Sequence, residues 1–67
     1  MKKPAFYIEI SYRVKPYGAR QVMRMGNNIY FETYEDAEEM ALRTPFMEEW
    51  IDPEFTIVPA WIKDDDN

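Results

Sequence analysis

Hydrophobic and polar residues alternate along residues 5–14, and this pattern predicts a strand. One face would carry Phe6, Ile8, Ile10, Tyr12 and Val14, and the other Tyr7, Glu9, Ser11 and Arg13. A period of two, rich in β-branched and aromatic residues, is typical of a half-buried strand. Pro16 and Gly18 then favour a turn. We therefore expect the chain to reverse and to form a hairpin with a second strand over residues 19–25.

The spacing of apolar residues after Thr33 predicts the main helix, from residue 34 to residue 43 or 44. Thr33 is placed as the N-cap, and Asp36 stands three residues later in the position of a capping box. One helical face is expected to pack on the sheet; its residues are Tyr34, Ala37, Met40 and Ala41. Pro45 ends the helix, because the residue before a proline avoids the helical region.

The remaining apolar runs predict three shorter elements. Residues 29–31 fit a third small strand or a bulged continuation of the hairpin, and residues 46–51 a second short helix. Residues 55–62 predict the last strand, either at a sheet edge or bulged, because Pro59 removes a ladder donor. The predicted fold is α+β with the order ββαβ: a three-stranded, mostly antiparallel sheet with one main helix packed on one face. Residues 1–63 would form a single domain, followed by a disordered acidic tail at residues 64–67.

The chain has 67 residues and contains neither Cys nor His. Disulfide bonds and tetrahedral zinc sites are therefore excluded, and a domain of this size must be held by apolar packing or by a partner. Aromatic residues make up 16% of the chain, more than so thin a domain can bury completely. The apolar stretches are too short to cross a bilayer, so we expect no membrane partner and a cytoplasmic location.

The sequence contains no catalytic constellation, and we expect neither an enzyme nor a bound cofactor or metal. The absence of His and Cys removes the commonest general base and the best nucleophile. Ser11 lies in mid-strand with no base near it in the sequence. The adjacent acids at residues 38–39 and 48–49 have no cleft around them in so short a chain, and we interpret them as solvated rather than as an acid–base pair.

Charge is divided between the two halves of the chain. Residues 1–28 carry six basic residues and one acid, a net charge of +5, whereas residues 29–67 carry two basic residues and twelve acids, a net charge of −10. Such a chain either presents one basic and one acidic surface, each attracting a partner of opposite sign, or neutralises its own halves on folding. The sequence leaves both interpretations open.

Residues 34–52 are the predicted contact surface of a non-catalytic protein-binding module. Surplus aromatic residues and methionines beside charged ones are what interfaces use at their centre and rim. The candidate binding residues are Glu35, Glu38, Glu39, Phe46, Met47, Glu49 and Trp50. Alternatively, Phe46 and Trp50 are four residues apart and simply close one end of the core. The exposed edge of the sheet offers a second binding mode, by strand addition.

Two further functions remain open. The acids of residues 32–54, folded onto one surface, could imitate nucleic-acid phosphates and occupy a partner's DNA- or RNA-binding groove. The basic hairpin at residues 12–24 could instead bind nucleic acid directly, although the net charge of −5 opposes this. Its candidate residues are Arg13, Lys15, Tyr17, Arg20 and Arg24. Formation of a homodimer is a further possibility.

The layout of the chain resembles the very small proteins that bacteriophages make early in infection to inhibit host enzymes. An aromatic-rich hairpin is followed by IYFETYEDAE at residues 29–38, an acidic helix, and FTIV at residues 55–58. This order is similar to that of the short phage T7 inhibitor of bacterial RNA polymerase. The resemblance implies a viral protein that binds a host polymerase, nuclease or defence complex in the host cytoplasm. The longer hairpin turn and residues 46–51 depart from that inhibitor, so the resemblance does not identify the target.

Overall fold

The fold is an antiparallel three-stranded sheet with one helix on one face, as the sequence predicts. A computed structural model describes residues 2–26 and 28–63. Its elements are β1 (Lys2–Arg13), β2 (Gln21–Arg24), α1 (Tyr34–Arg43) and β3 (Ile51–Lys63). The strand order is β2-β1-β3, so β1 is central. The predicted disordered tail at residues 64–67 lies outside the described residues.

The ladder between β1 and β3 is the longest contact of the fold. Its pairs run from Lys2–Lys63 to Ser11–Glu54. The register then shifts, because β3 contributes one more residue than β1 before the next pair. This β-bulge contains Asp52, whose φ of 51° lies in the left-handed region. Asp tolerates that region better than most residues do, so the bulge is compatible with the sequence.

The prolines of the strands lie where a missing N–H breaks no ladder bond. Phe6 exchanges both of its backbone hydrogen bonds with Phe31, at 2.9 and 2.8 Å. Successive residues of an antiparallel strand direct their backbone N–H and C=O groups to opposite sides. The N–H and C=O of Phe6 therefore point away from β3. Its cross-strand partner on β3 is Pro59, which must therefore face the outer edge. Of the two predicted alternatives for the strand containing Pro59, the edge strand is confirmed.

The core is a small contact between α1 and the centre of the sheet. Ile8 of β1 is 1% exposed, and Ala37 and Ala41 of α1 are buried against it. The short alanine side chains let the helix approach the sheet closely. The half-buried residues around this contact are Phe6, Met25, Phe31, Phe55 and Ile57. All eleven aromatic residues lie in the described part of the chain, and none is fully buried, which fits the expected surplus.

The start and end of α1 are as predicted. Thr33 Oγ1 accepts a hydrogen bond from the backbone N–H of Asp36 at 3.1 Å, so Thr33 is the N-cap. The helix ends at Arg43, before Pro45. The predicted buried face is only partly correct, because Tyr34 and Met40 are exposed. The two alanines carry the close contact, which leaves these longer side chains at its margin.

One predicted short element is wrong, and two others differ from their prediction in extent. Residues 46–51 form no helix; the chain makes a turn in which the Trp50 N–H donates to the Met47 carbonyl at 3.1 Å. β3 begins at Ile51, not at residue 55, because the bulge at Asp52 lets the ladder continue past Pro53. Residues 29–31 form no separate third strand; of these, Phe31 alone continues the pairing with β1 beyond β2, by a β-bridge to Phe6, which corresponds to the predicted bulged continuation of the hairpin.

The core contact predicts that shortening a buried aliphatic side chain to alanine destabilises the fold much more than shortening an exposed one. Ile8→Ala should lower the free energy of unfolding by about 2–5 kcal/mol, because it leaves a cavity beneath α1. Val22→Ala, at an exposed position of β2, should change it by less than about 0.5 kcal/mol. Chemical denaturation of both variants measures the difference. Equal losses would show that Ile8 is not at the centre of the core.

The positive φ in the bulge predicts that position 52 tolerates glycine better than valine. Asp52→Val should lower the free energy of unfolding by about 1–2 kcal/mol, because a β-branched residue is strained at positive φ. Asp52→Gly loses the exposed carboxylate but fits this backbone conformation, and should be less destabilising than the valine variant. Thermal unfolding followed by circular dichroism ranks the two. The reverse order would mean that the side chain, and not the backbone, determines the residue at this position.

Candidate functional site

The outward side of α1 combines acids with an exposed leucine. Because Ala37 and Ala41 face the sheet, the residues on the opposite side of the helix face solvent, and they include Glu35, Glu39 and Leu42. The leucine is 71% exposed. Glu39 Oε2 pairs with the Arg43 guanidinium at 3.4 Å, an exposed contact of little energy. Sequence reasoning missed Leu42, although the helical spacing already places it off the buried stripe.

The turn after α1 is held to the sheet by aromatic stacking. The Trp50 ring stacks on Tyr12 of β1, with ring centroids 4.5 Å apart and planes 19° apart. Phe46 packs at a tilt against Trp50, at 6.2 Å. Met47, in contrast, is 53% exposed. Trp50 therefore packs against β1 outside the core cluster, whereas Met47 is left for contacts outside the molecule.

The predicted binding residues fall into two groups. Glu35, Glu39 and Glu49 are exposed, whereas Glu38 is half-buried. The three exposed acids and the exposed apolar side chains follow one another along α1 and the turn after it. We call this stretch the acidic–apolar surface; its residues are Glu35, Glu39, Leu42, Phe46, Met47 and Glu49.

Two arginines of the basic hairpin connect the ends of the strands. Arg20 Nε donates to Ser11 Oγ at 2.6 Å, and its Nη2 donates to the carbonyls of Ser11 at 3.0 Å and Asp52 at 2.6 Å. Arg13 Nη1 lies 3.8 Å from Asp52 Oδ2. Arg20 thus joins the start of β2 to the bulge of β3 across β1. Both side chains have internal partners that a nucleic acid would have to displace.

Arg24 lies between two tyrosine rings. Its guanidinium carbon is 3.9 Å from the ring centroid of Tyr7 and 4.8 Å from that of Tyr30. Nε and Nη2 are buried and have no hydrogen-bond acceptor among the described residues. Glu9 stands opposite Arg24 in the ladder. Sequence reasoning had no means of finding this cluster, because it depends on the register between β1 and β2 and on the path of the chain near Tyr30.

The remaining residues of the predicted nucleic-acid site lie in the turn after β1. Lys15 is exposed, and Tyr17 is fully exposed. They are separated from Arg24 by the length of β2. The structure therefore does not gather the five predicted residues into one basic surface.

The described part of the chain shows no cavity that could hold a small ligand. Within residues 2–26 and 28–63, no three carboxylates lie close enough together to share a metal ion. Of the helices that the structure describes, none has the length and apolar character needed to cross a membrane.

Comparison of the chain with protein-family models, with characterised proteins and with solved structures found no match.

The stacking of Trp50 on Tyr12 predicts that replacing Trp50 destabilises the fold more than replacing the exposed Met47. Trp50→Ala should lower the free energy of unfolding by at least about 1 kcal/mol, because an aromatic pair contributes beyond its buried area. Met47→Ala should change it by less than about 0.5 kcal/mol. Urea denaturation followed by circular dichroism tests this. An undiminished stability of the Trp50 variant would show that its ring does not hold the turn.

Proposed function

We propose that the chain is a non-catalytic protein-binding module whose contact surface is the acidic–apolar surface. The observation that carries this proposal is the exposure of Leu42 on α1, at 71%, and of Met47 in the turn that follows, at 53%. Single exposed apolar residues are common. Here, however, they follow one another along α1 and the next turn, with outward acids beside them.

This arrangement matches the composition of a transient protein interface. Interfaces place aromatic residues and methionines at the centre and charged groups at the rim, where the charges remain hydrated. Leu42, Phe46 and Met47 would supply the centre, and Glu35, Glu39 and Glu49 the rim. The acids would attract a basic partner and raise the association rate at low ionic strength. The partner is therefore a protein with a basic surface around an apolar recess.

The resemblance in layout to small phage inhibitors supports a narrower proposal. In that case the partner is a host enzyme or defence complex that acts on nucleic acid, because such proteins carry the basic surface that the acids require. The acids of the helix would then occupy part of a DNA- or RNA-binding groove, which joins the binding-module and mimicry hypotheses in one mode of action. The proposed place of action is the host cytoplasm.

Direct binding of nucleic acid through the hairpin has less support. Arg13 and Arg20 already have partners within the sheet, and Arg24 is packed between Tyr7 and Tyr30. Phosphate contacts made by the hairpin would have to come mainly from Lys15.

Affinity capture from a bacterial lysate tests the proposed function. The tagged full chain is incubated with lysate, with and without nuclease, over a series of salt concentrations. We expect a stoichiometric protein partner that survives nuclease and whose capture weakens as salt rises, because the rim contacts are electrostatic. Recovery of nucleic acid alone, with every protein lost after nuclease treatment, would contradict the proposal and favour the hairpin.

Matched variants assign the captured partner to the surface. Leu42→Ala/Met47→Ala should weaken binding about tenfold or more, since apolar residues at an interface centre carry much of its energy. Val14→Ala/Val22→Ala removes exposed apolar groups elsewhere and should leave binding unchanged. Glu39→Lys should weaken binding, whereas Glu54→Lys, an equal change of charge at an exposed position of β3, should not. Equal effects within either pair would place the contact somewhere else.

A further inference from the structure

The outer edge of β3 has no partner among the described residues, and its free groups can be assigned. β1 turns the backbone groups of Phe6 and Ile8 towards the side of β2, since Phe6 bonds Phe31 and the Ile8 carbonyl accepts from the Met25 N–H at 2.9 Å. Their cross-strand partners on β3 therefore face outward. By the same alternation, Phe55, Ile57 and Trp61 present a free N–H and C=O, and Pro59 a free C=O.

We propose that this edge pairs with the same edge of a second copy of the chain, antiparallel about a twofold axis. With Phe55 opposite Trp61 of the second copy, these two residues exchange both backbone hydrogen bonds. Ile57 then stands opposite Pro59 and donates to its carbonyl. The missing N–H of Pro59 removes one bond on each side of the axis and leaves the others intact. The result is a continuous six-stranded sheet.

The side chains on the edge favour this register. Trp61 is 68% exposed and lies on the same sheet face as Phe55, since their ladder partners Pro4 and Ile10 share a face of β1. In the dimer the Trp61 ring would lie beside Phe55 of the second copy. Directly opposite aromatic pairs are among the stabilising cross-strand contacts of antiparallel sheets. This contact would explain why Trp61 is exposed on β3 in the single chain.

Charges at the two ends of β3 are complementary. Lys63 comes opposite Pro53 of the second copy, next to the exposed acid Asp52. The twofold axis produces this attraction twice. An arbitrary partner strand would have to supply the same pattern, whereas a second copy supplies it automatically, and for that reason we assign the edge to a second copy.

The proposed dimer is closed. A twofold contact uses the same surface on both chains and leaves no β3 edge for a third copy. The opposite edge of the sheet is formed by β2, which has only four residues and is therefore a poor template for further strand addition. This interface is separate from the acidic–apolar surface, and the inference does not depend on the proposed function.

Sedimentation equilibrium of the full chain tests the dimer. At about 100 µM, well above a dissociation constant of about 1 µM, the weak end of the range for specific interfaces, we expect twice the monomer mass of 8.1 kDa. Trp61→Pro removes the outward backbone N–H and the exposed ring. It breaks no hydrogen bond to β1, because residue 61, like Pro59, directs its backbone nitrogen away from β1. It should weaken dimerisation about 100-fold, because each of its two copies loses a contact worth about tenfold.

Two further variants test whether a loss of dimerisation results from misfolding or from a different interface. Trp61→Lys removes the ring but keeps the backbone donor, and should weaken the dimer less than Trp61→Pro does. Leu42→Lys, on the outward side of α1, should leave the dimer unchanged. Circular dichroism confirms that each variant is folded. A wild-type monomer at this concentration would leave the edge to a strand of another protein, and would overturn the assignment to a second copy.

Amide hydrogen exchange locates the interface residue by residue. In the dimer, the outward amides of Phe55, Ile57 and Trp61 should exchange slowly; on dilution to monomer they should become fast. The inward amides of Thr56, Val58 and Ala60 bond β1 and should stay protected in both states. A dimer in which the outward amides remain fast would place the contact elsewhere and overturn the proposal.

Discussion

The antiparallel ladder between β1 and β3 is the contact on which the rest of this fold depends. β1 alternates so that Ile8 and Ile10 face α1, and the ladder sets Ile57 and Phe55 beside them on the same face. α1 then needs only two alanines to close the core. A core this small gives little stability of its own, which fits the marginal balance expected for a domain of this size.

The elements that the sequence predicted correctly have local causes. The period of two in β1, the Thr33 cap of α1 and the missing donor of Pro59 are each determined by a few neighbouring residues. The errors concern features that depend on distant parts of the chain. β3 starts early because Asp52 adopts a positive φ, and its carbonyl accepts a hydrogen bond from Arg20, which lies at the opposite edge of the sheet. No local pattern around residue 52 contains that information.

The candidate surface shows the same limit. The exposed acids of α1 follow from helical periodicity, and so does the outward position of Leu42 once the buried stripe is known. The different roles of Trp50 and Met47 do not, because they depend on the stacking against Tyr12. The fold also changes the meaning of the charge division. Arg13, Arg20 and Arg24 are half-buried and have partners within the sheet, whereas the lysines of the first half and most acids of α1 are exposed, so only part of the basic half is available to an external partner.

The pairing of Lys2 with Lys63 has a consequence for how the chain folds. The ladder that includes this pair begins at Arg13–Ile51, so forming it closes a loop of at least residues 14–50, more than half of the chain. Folds dominated by such distant pairings form slowly compared with helical proteins of similar size. During synthesis, β1 must wait for β3 to leave the ribosome before its apolar face is covered. Until then Ile8 and Ile10 are exposed on a strand with an open edge, and the chain is vulnerable to aggregation in the interval before β3 is made.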